Sequence, residues 1–229
     1  MGISLHNANP DMAPNLRGFD LEGNVSFNNG SILPPADRAD LTNYNIMVGM
    51  GSPVEDLRLV SNFTYFSQPG NGRVQIGWAR EAGNRNLVAQ NNYFVEAMDT
   101  VNWTGTNVTN NTVIAGRTPA DNKVFVRPNK YEAGRANIVV YNWRRQNTAA
   151  VNIATAGLKI GQPFEVRNAE NFFAAPVLTG TYNGQDIVLP MTGLTTARPV
   201  GNMPQPPQPS GPTFNVFIVR PAQTDYRLQ

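Results

Sequence analysis

The side chains with the strongest claim to chemistry in this 229-residue sequence lie between positions 78 and 103. Trp78 is followed by Arg80-Glu81 and then by Arg85, so both charge signs stand next to an aromatic ring. The stretch is rich in Gly, Asn and charge and reads as a surface loop, where functional residues concentrate. Arg80, Glu81 and Arg85 are the candidate catalytic groups. Trp78 and Trp103, with Arg80 and Arg85, are the candidates for contact with carbohydrate. A sugar ring stacks its C–H face on an exposed aromatic while Asn and Arg neighbours bond its hydroxyls. The competing reading is that both tryptophans cover strand edges as ordinary packing.

Other reactive constellations are missing from the sequence. There is no cysteine and one histidine, His6, which excludes thiol nucleophiles, thiolate metal sites and multi-histidine metal sites. No Gly-rich phosphate loop, nucleophile elbow, HExxH helix or Asp-rich calcium loop occurs. No metal or cofactor is therefore expected. The formal charge is +2, and 15 of the 18 basic residues are scattered arginines, with Arg144-Arg145 the one adjacent pair. That pattern gives no support to nucleic-acid binding. No apolar run approaches the ~18 residues that cross a bilayer, and residues 1–9 do not form a signal peptide. Six Asn-x-Ser/Thr triplets (Asn24, Asn29, Asn62, Asn102, Asn107 and Asn110) are discounted as glycosylation sites. An Asn- and Thr-rich chain generates such triplets by chance.

The elements that must position these residues announce themselves through asparagine. The chain holds 29, of which 18 fall in the first 111 residues. Four of them centre a seven-residue unit: apolar, two residues, Asn, two residues, apolar. The units are Leu21–Phe27 around Asn24, Leu59–Tyr65 around Asn62, Ala89–Val95 around Asn92, and Val108–Ile114 around Asn111. An apolar residue often stands two places earlier, as in Phe19, Leu57 and Leu87, which is strand alternation on one face. Asparagine tolerates left-handed backbone angles and so suits a sharp bend between two short strands. Stacked bends let each amide bond the next, which satisfies polar groups inside a coil. This grammar predicts a parallel β-helix of about four coils over residues 1–117. The intervals between the four asparagines are 38, 30 and 19 residues. The last fits one coil, and the longer two imply inserted loops at Ser31–Tyr44 and Gln68–Gly83.

From Lys123 the asparagine spacing is lost and seven longer strand signals follow, which predicts an antiparallel β-sandwich over residues 118–229. The strands are expected at Lys123–Arg127, Ala136–Trp143, Ala149–Ala154, Pro163–Arg167, Val177–Tyr182, Asp186–Leu189 and Thr213–Arg220. Tyr182-Asn183-Gly184-Gln185 predicts a tight hairpin. Six prolines between positions 195 and 212 read as an extended loop before the final strand, because Phe214–Val219 looks buried. Tyr141 and Trp143 are expected in the core.

The run from Val124 to Trp143 resembles the junction region of bacterial right-handed parallel β-helix repeat proteins of the pectate-lyase-like superfamily. Phe164–Phe173, Pro176–Tyr182, Leu21–Asn29 and Asn62–Phe66 are similar to the same group. The resemblance spans roughly residues 15–195. It implies an all-β fold, a short β-helix followed by a β-sandwich, and an extracellular or cell-surface setting; it supplies no catalytic residues. Members usually carry more coils ahead of the one that begins here at Gly2-Ile3-Ser4-Leu5. Further coils or self-association at that end are accordingly expected.

Enzymes of this architecture follow two plans. Lyases use an Arg or Lys base, often with Ca²⁺ held by carboxylates, and hydrolases use paired carboxylates. Asp11, Asp20, Glu22, Asp37, Asp40, Glu55, Asp56, Glu81, Glu96 and Asp99 are available, but none recurs one coil apart so as to stack two carboxylates. The expected role is a polysaccharide-recognition module. A polysaccharide lyase or glycoside hydrolase, and a structural module docking through an open end, stand as alternatives.

Overall fold

The computed structural model describes residues 2–6, 16–29, 44–67, 72–78, 83–117, 119, 121–201 and 207–222. They are all-β with short 3-10 turns, and the chain divides into two compact units, Met1–Thr118 and Pro119–Gln229.

In the first unit the described strands come in sets of three. The first set is β1 (Ile3–His6), β2 (Leu16–Glu22) and β3 (Val25–Phe27), and the second is β4 (Tyr44–Met50), β5 (Val54–Val60) and β6 (Phe63–Tyr65). The third is β7 (Arg73–Ile76), β8 (Asn84–Gln90) and β9 (Tyr93–Val95), and the fourth is β10 (Met98–Thr100), β11 (Trp103–Thr109) and β12 (Thr112–Ile114). Each set places one strand in each of three parallel sheets, ordered β1-β4-β7-β10, β2-β5-β8-β11 and β3-β6-β9-β12. One set is thus a rung, and successive rungs stack, an arrangement compatible with a β-helix. The seven-residue units lie in register: Leu21 faces Leu59, Leu59 faces Ala89, and Ala89 faces Val108. Alternate residues point inward, so that Ile46, Val48, Leu57, Leu59, Val74, Ile76, Leu87, Ala89 and Phe94 form one buried core.

Two expectations for this unit need correction. Gln68–Gly83 is not simply an inserted loop, because Arg73–Ile76 within it is β7, paired with β4 and β10. Four residues between Gly72 and Gly77, both at positive φ, are too short to show a period. Ser31–Tyr44 lies outside the described residues except for Tyr44, which opens β4. The second correction concerns the bend. The left-handed angle falls on the residue before each repeat asparagine: Gly23 (φ 69°), Ser61 (53°), Asn91 (55°) and Asn110 (55°). The preceding residue turns the chain, which leaves the asparagine to aim its amide inward.

There the four asparagines form a continuous ladder. The backbone N–H and Nδ2 of Asn24 donate to Oδ1 of Asn62 at 3.0 and 2.9 Å. Asn62 donates likewise to Asn92 at 2.8 and 3.1 Å, and Asn92 to Asn111 at 3.1 and 2.7 Å. Each Nδ2 also reaches back to the rung before: Asn62 to the Leu21 carbonyl at 2.7 Å, Asn92 to Leu59 at 2.9 Å, Asn111 to Ala89 at 2.7 Å. These carbonyls belong to the first residue of the seven-residue unit. Asn62 is fully buried with its amide committed, so no glycan fits on it.

The second unit comprises β13 (Lys123–Pro128), β14 (Ala136–Tyr141), β15 (Thr148–Val151), β16 (Pro163–Asn168), β17 (Leu178–Thr181), β18 (Ile187–Pro190) and β19 (Phe214–Pro221). They make an antiparallel sheet ordered β13-β14-β19-β16-β17 and a pair, β15-β18. Ile138, Val140, Val151, Val166, Leu189 and Phe217, drawn from both sheets, share one buried core. The expected hairpin at 182–185 is not formed. β17 pairs with β16 and β18 with β15, so the segment crosses between sheets. Gly184 does take a positive φ (84°), and Asn183 Oδ1 accepts from the Gln185 N–H at 3.0 Å, so the turn is local while the pairing is not. The Pro-rich stretch leads into β19, a central strand. Thr196 Oγ1 donates to the Pro207 carbonyl at 2.6 Å, and Asn142 Nδ2 donates to that of Pro212 at 2.8 Å.

Removing the Asn62 side chain strands the Asn24 N–H and the Leu21 carbonyl, takes a donor from Asn92 Oδ1 and leaves a void at a fully buried position, whereas Asn111 is half-buried and ends the described ladder. Asn62→Ala is expected to cost about 2–3 kcal/mol and Asn111→Ala about 1 kcal/mol. Urea unfolding followed by tryptophan fluorescence measures both, and equal losses would count against the ladder as the organising element.

Candidate functional site

β7 and the turn after it carry a concave surface on the first unit. Val74 and Ile76 point into the core, which turns Gln75 and, by the same alternation, Arg73 outward. On the next rung Met98 and Asp99 stand opposite Val74 and Gln75. With Thr100, Val101 and Trp78 these residues line a groove of about 580 Å³. Arg73 Nη2 donates to Asp99 Oδ2 at 2.6 Å, an ion pair bridging two rungs with both side chains part-exposed. Gln75 is nearly buried, and its Nε2 donates to the Gly77 carbonyl at 2.8 Å. Trp78 is half-buried, and its carbonyl accepts from Asn102 Nδ2 at 3.3 Å. The groove therefore offers an indole, a bridging ion pair and an anchored amide.

The other singled-out residues are dispersed. Trp103 opens β11, packs against the core and donates its indole N–H to the Ile76 carbonyl at 3.1 Å. Its Nε1 sits where a Cβ on Gly77 would meet it at 2.8 Å, and Val101 O would lie at 2.2 Å. Gly77, at φ 82°, is thus required both by its angle and by this close approach. Trp103 is packing, and it does not line the groove.

Arg85 belongs to the second sheet, where Arg17, Glu55 and Arg85 stack across three rungs. Glu55 is buried and accepts from Arg85 Nη2 at 2.7 Å and from Arg17 Nε at 2.9 Å, with Arg17 Nη2 also in contact. Arg85 thus commits Nη2 to Glu55, with its side chain half-exposed. Arg58 on the same sheet bonds Asp20 and Glu22, and chiefly the Glu22 hydrogen bond raises its guanidinium above the ordinary value. Arg80 and Glu81 lie outside the described residues. His6 ends β1 with Nδ1 2.8 Å from Ser4 Oγ. Arg73, Gln75 and Asp99 were not singled out from the sequence. The polar-apolar order Arg-Val-Gln-Ile at 73–76 is too short to establish a period that would have marked them.

The second unit holds two carboxylates in unusual settings. Glu165 is nearly buried and accepts from Arg167 Nε at 2.7 Å and Arg220 Nε at 2.6 Å. The Arg167 hydrogen bond leads in holding its carboxyl below the usual range, against the cost of burial. Both guanidinia lie over the Phe172 ring, 5.7 and 5.6 Å from its centroid. Tyr141 is fully buried and stacks on Trp143 with 5.7 Å between centroids. Glu170 accepts from Ser210 Oγ at 2.7 Å and from its N–H at 3.2 Å, tying the Pro-rich stretch to the 3-10 turn Ala169–Asn171. Burial pushes the Glu170 carboxyl above its ordinary 4.5, and the Ser210 bonds oppose the shift.

A carboxyl raised in the fold binds more protons folded than unfolded, so its ionisation lowers stability as pH rises from the ordinary glutamate value. Glu170→Gln keeps an acceptor for Ser210 and removes that slope. Its stability relative to wild type is expected to grow as pH climbs above 4.5, read from urea midpoints across pH; a constant difference would refute the assignment. Comparison with known families, curated proteins and solved structures yields no match for this chain.

Proposed function

We propose that the chain is a polysaccharide-recognition module built on a short right-handed parallel β-helix of the pectate-lyase-like kind, joined to a β-sandwich, from a secreted or surface bacterial protein. The observation that carries the reading is the groove where Trp78 stands beside the Arg73–Asp99 pair and Gln75. An aromatic body with a few convergent polar groups is what a ligand with apolar ring faces and hydroxyl edges requires. Binding is favoured over hydrolysis because the described lining presents one carboxylate, Asp99, already held by Arg73, where a glycosidase employs two.

Assembly is a second reading with its own observation. At both ends of the described stack the strands are sheet edges, β1, β2 and β3 in the first rung and β10, β11 and β12 in the last. Such an edge is a template for further strands, and a second copy is the occupant in this reading. Light scattering at rising concentration decides it, and a clean monomer throughout overturns it.

For recognition, affinity electrophoresis through gels containing plant and microbial polysaccharides is the direct test. Retardation by at least one of them, weakened about tenfold in Trp78→Ala, is expected from the loss of one stacking ring (about 1.4 kcal/mol). Retardation by none, or retardation unchanged by Trp78→Ala, refutes the reading. Trp103→Ala is unsuitable as a probe, because Trp103 packs against the core and would act through stability.

A further inference from the structure

We infer that the groove selects a neutral pyranose chain and rejects a polyuronate. The inference rests on the recognition reading and names the substrate class of the same site.

Charge decides it. Among the described lining residues the groove holds one cation and one anion, Arg73 and Asp99, and they neutralise each other at 2.6 Å. Gln75, Trp78, Met98, Thr100 and Val101 carry no charge. A uronate chain brings a carboxylate with every residue, and recognising it calls for cations left over after internal pairing. Arg73 is not left over. A sugar carboxylate beside it would also face Asp99, and like charges at short range repel strongly where water is partly excluded.

Hydroxyl pairs suit the same groups. Asp99 gives Oδ2 to Arg73, which leaves Oδ1 to accept from a hydroxyl. The Arg73 guanidinium carries five N–H donors, so it can serve Asp99 and a neighbouring hydroxyl oxygen together. Two adjacent ring hydroxyls, one donating to Asp99 and one accepting from Arg73, therefore match the pair's polarity. Gln75, fixed by its Nε2 bond to Gly77, adds an oriented amide oxygen. Trp78 supplies the surface for the C–H face of the ring.

The experiment sets the full chain against gels of neutral polysaccharides (galactomannan, xyloglucan, mixed-linkage glucan) and acidic ones (polygalacturonate, alginate). Each is run at about 10 mM and about 150 mM ionic strength, across which the Debye length falls from roughly 30 to 8 Å. Retardation by a neutral polymer, changed less than about twofold by salt, is expected, with none by the polyuronates. Asp99→Asn removes the internal counter-charge of Arg73, and it is expected to gain salt-sensitive retardation by polygalacturonate while losing about tenfold on the neutral ligand. Wild-type retardation by polyuronates alone, suppressed by salt, overturns the inference and leaves the recognition reading standing. Retardation by nothing in the panel overturns both. An Asp99→Asn variant that matches wild type on every gel shows that the pair does not read the ligand, and this also overturns the inference.

Discussion

The first unit depends on one side-chain amide per rung. A parallel bend directs backbone N–H groups toward an interior that offers apolar carbon, and each must find an acceptor there. Oδ1 of the ladder asparagine on the next rung supplies it, accepting from both the backbone N–H and the side-chain Nδ2 of the rung before. Nδ2 then returns a hydrogen to a carbonyl of the previous rung. Asn62 and Asn92, inside the stack, thus donate to the rungs on both sides and accept through Oδ1 from the rung before, and few other side chains could fill the position. Glutamine would reach too far, and aspartate would lack the donors and bury a charge. The asparagine abundance of the first half begins from this requirement.

Once the ladder sets the rung-to-rung register, neighbouring side chains are set too. Arg17, Glu55 and Arg85 fall in one column and Asp20 meets Arg58, while Arg73 bonds Asp99 on the adjoining rung. A second column of left-handed residues, Gly18, Asp56, Asn86 and Gly105, runs beside the first of these, and Asn86 Nδ2 bonds Asp56 Oδ1 at 2.8 Å. Stacking repeats a backbone conformation at each rung, and complementary charges on successive rungs become partners without further provision.

This explains what could be read before the structure was known. The Asn-centred unit was legible because its period, apolar flanks and bend are all local, and its parallel strands and sandwich-like second half followed from the same patterns. β7 was not legible, since four residues between two glycines show no period, and their identity as a strand depends on β4 and β10. The groove was lost with it. Arg80, Glu81 and Arg85 stand out in the sequence because they fall within six residues, whereas Arg73 and Asp99 are 26 residues apart and meet only through stacking. The turn at Asn183-Gly184 teaches the same lesson. Its chemistry is local and was readable, but the sheet that β18 joins is settled by Ile187 and Leu189 packing with β15 into the shared core.

The cross-rung pairing also shapes what the described surface can recognise. Arginines dominate the cations of this chain, yet Arg17, Arg58, Arg73 and Arg85 each bond a carboxylate on another rung, and Glu55 spends its charge on two of them. Internal pairing leaves little uncompensated field to draw in a charged ligand over distance. It does leave fixed, directional groups, of which Arg73 and Asp99 have donors and an acceptor oxygen beyond their mutual bond. Such a surface discriminates by the placement of hydroxyl-sized groups and by the fit of a ring against Trp78. The ladder that holds the rungs in register is therefore also what keeps those positions fixed, and the geometry of the groove depends on the same amides that stabilise the fold.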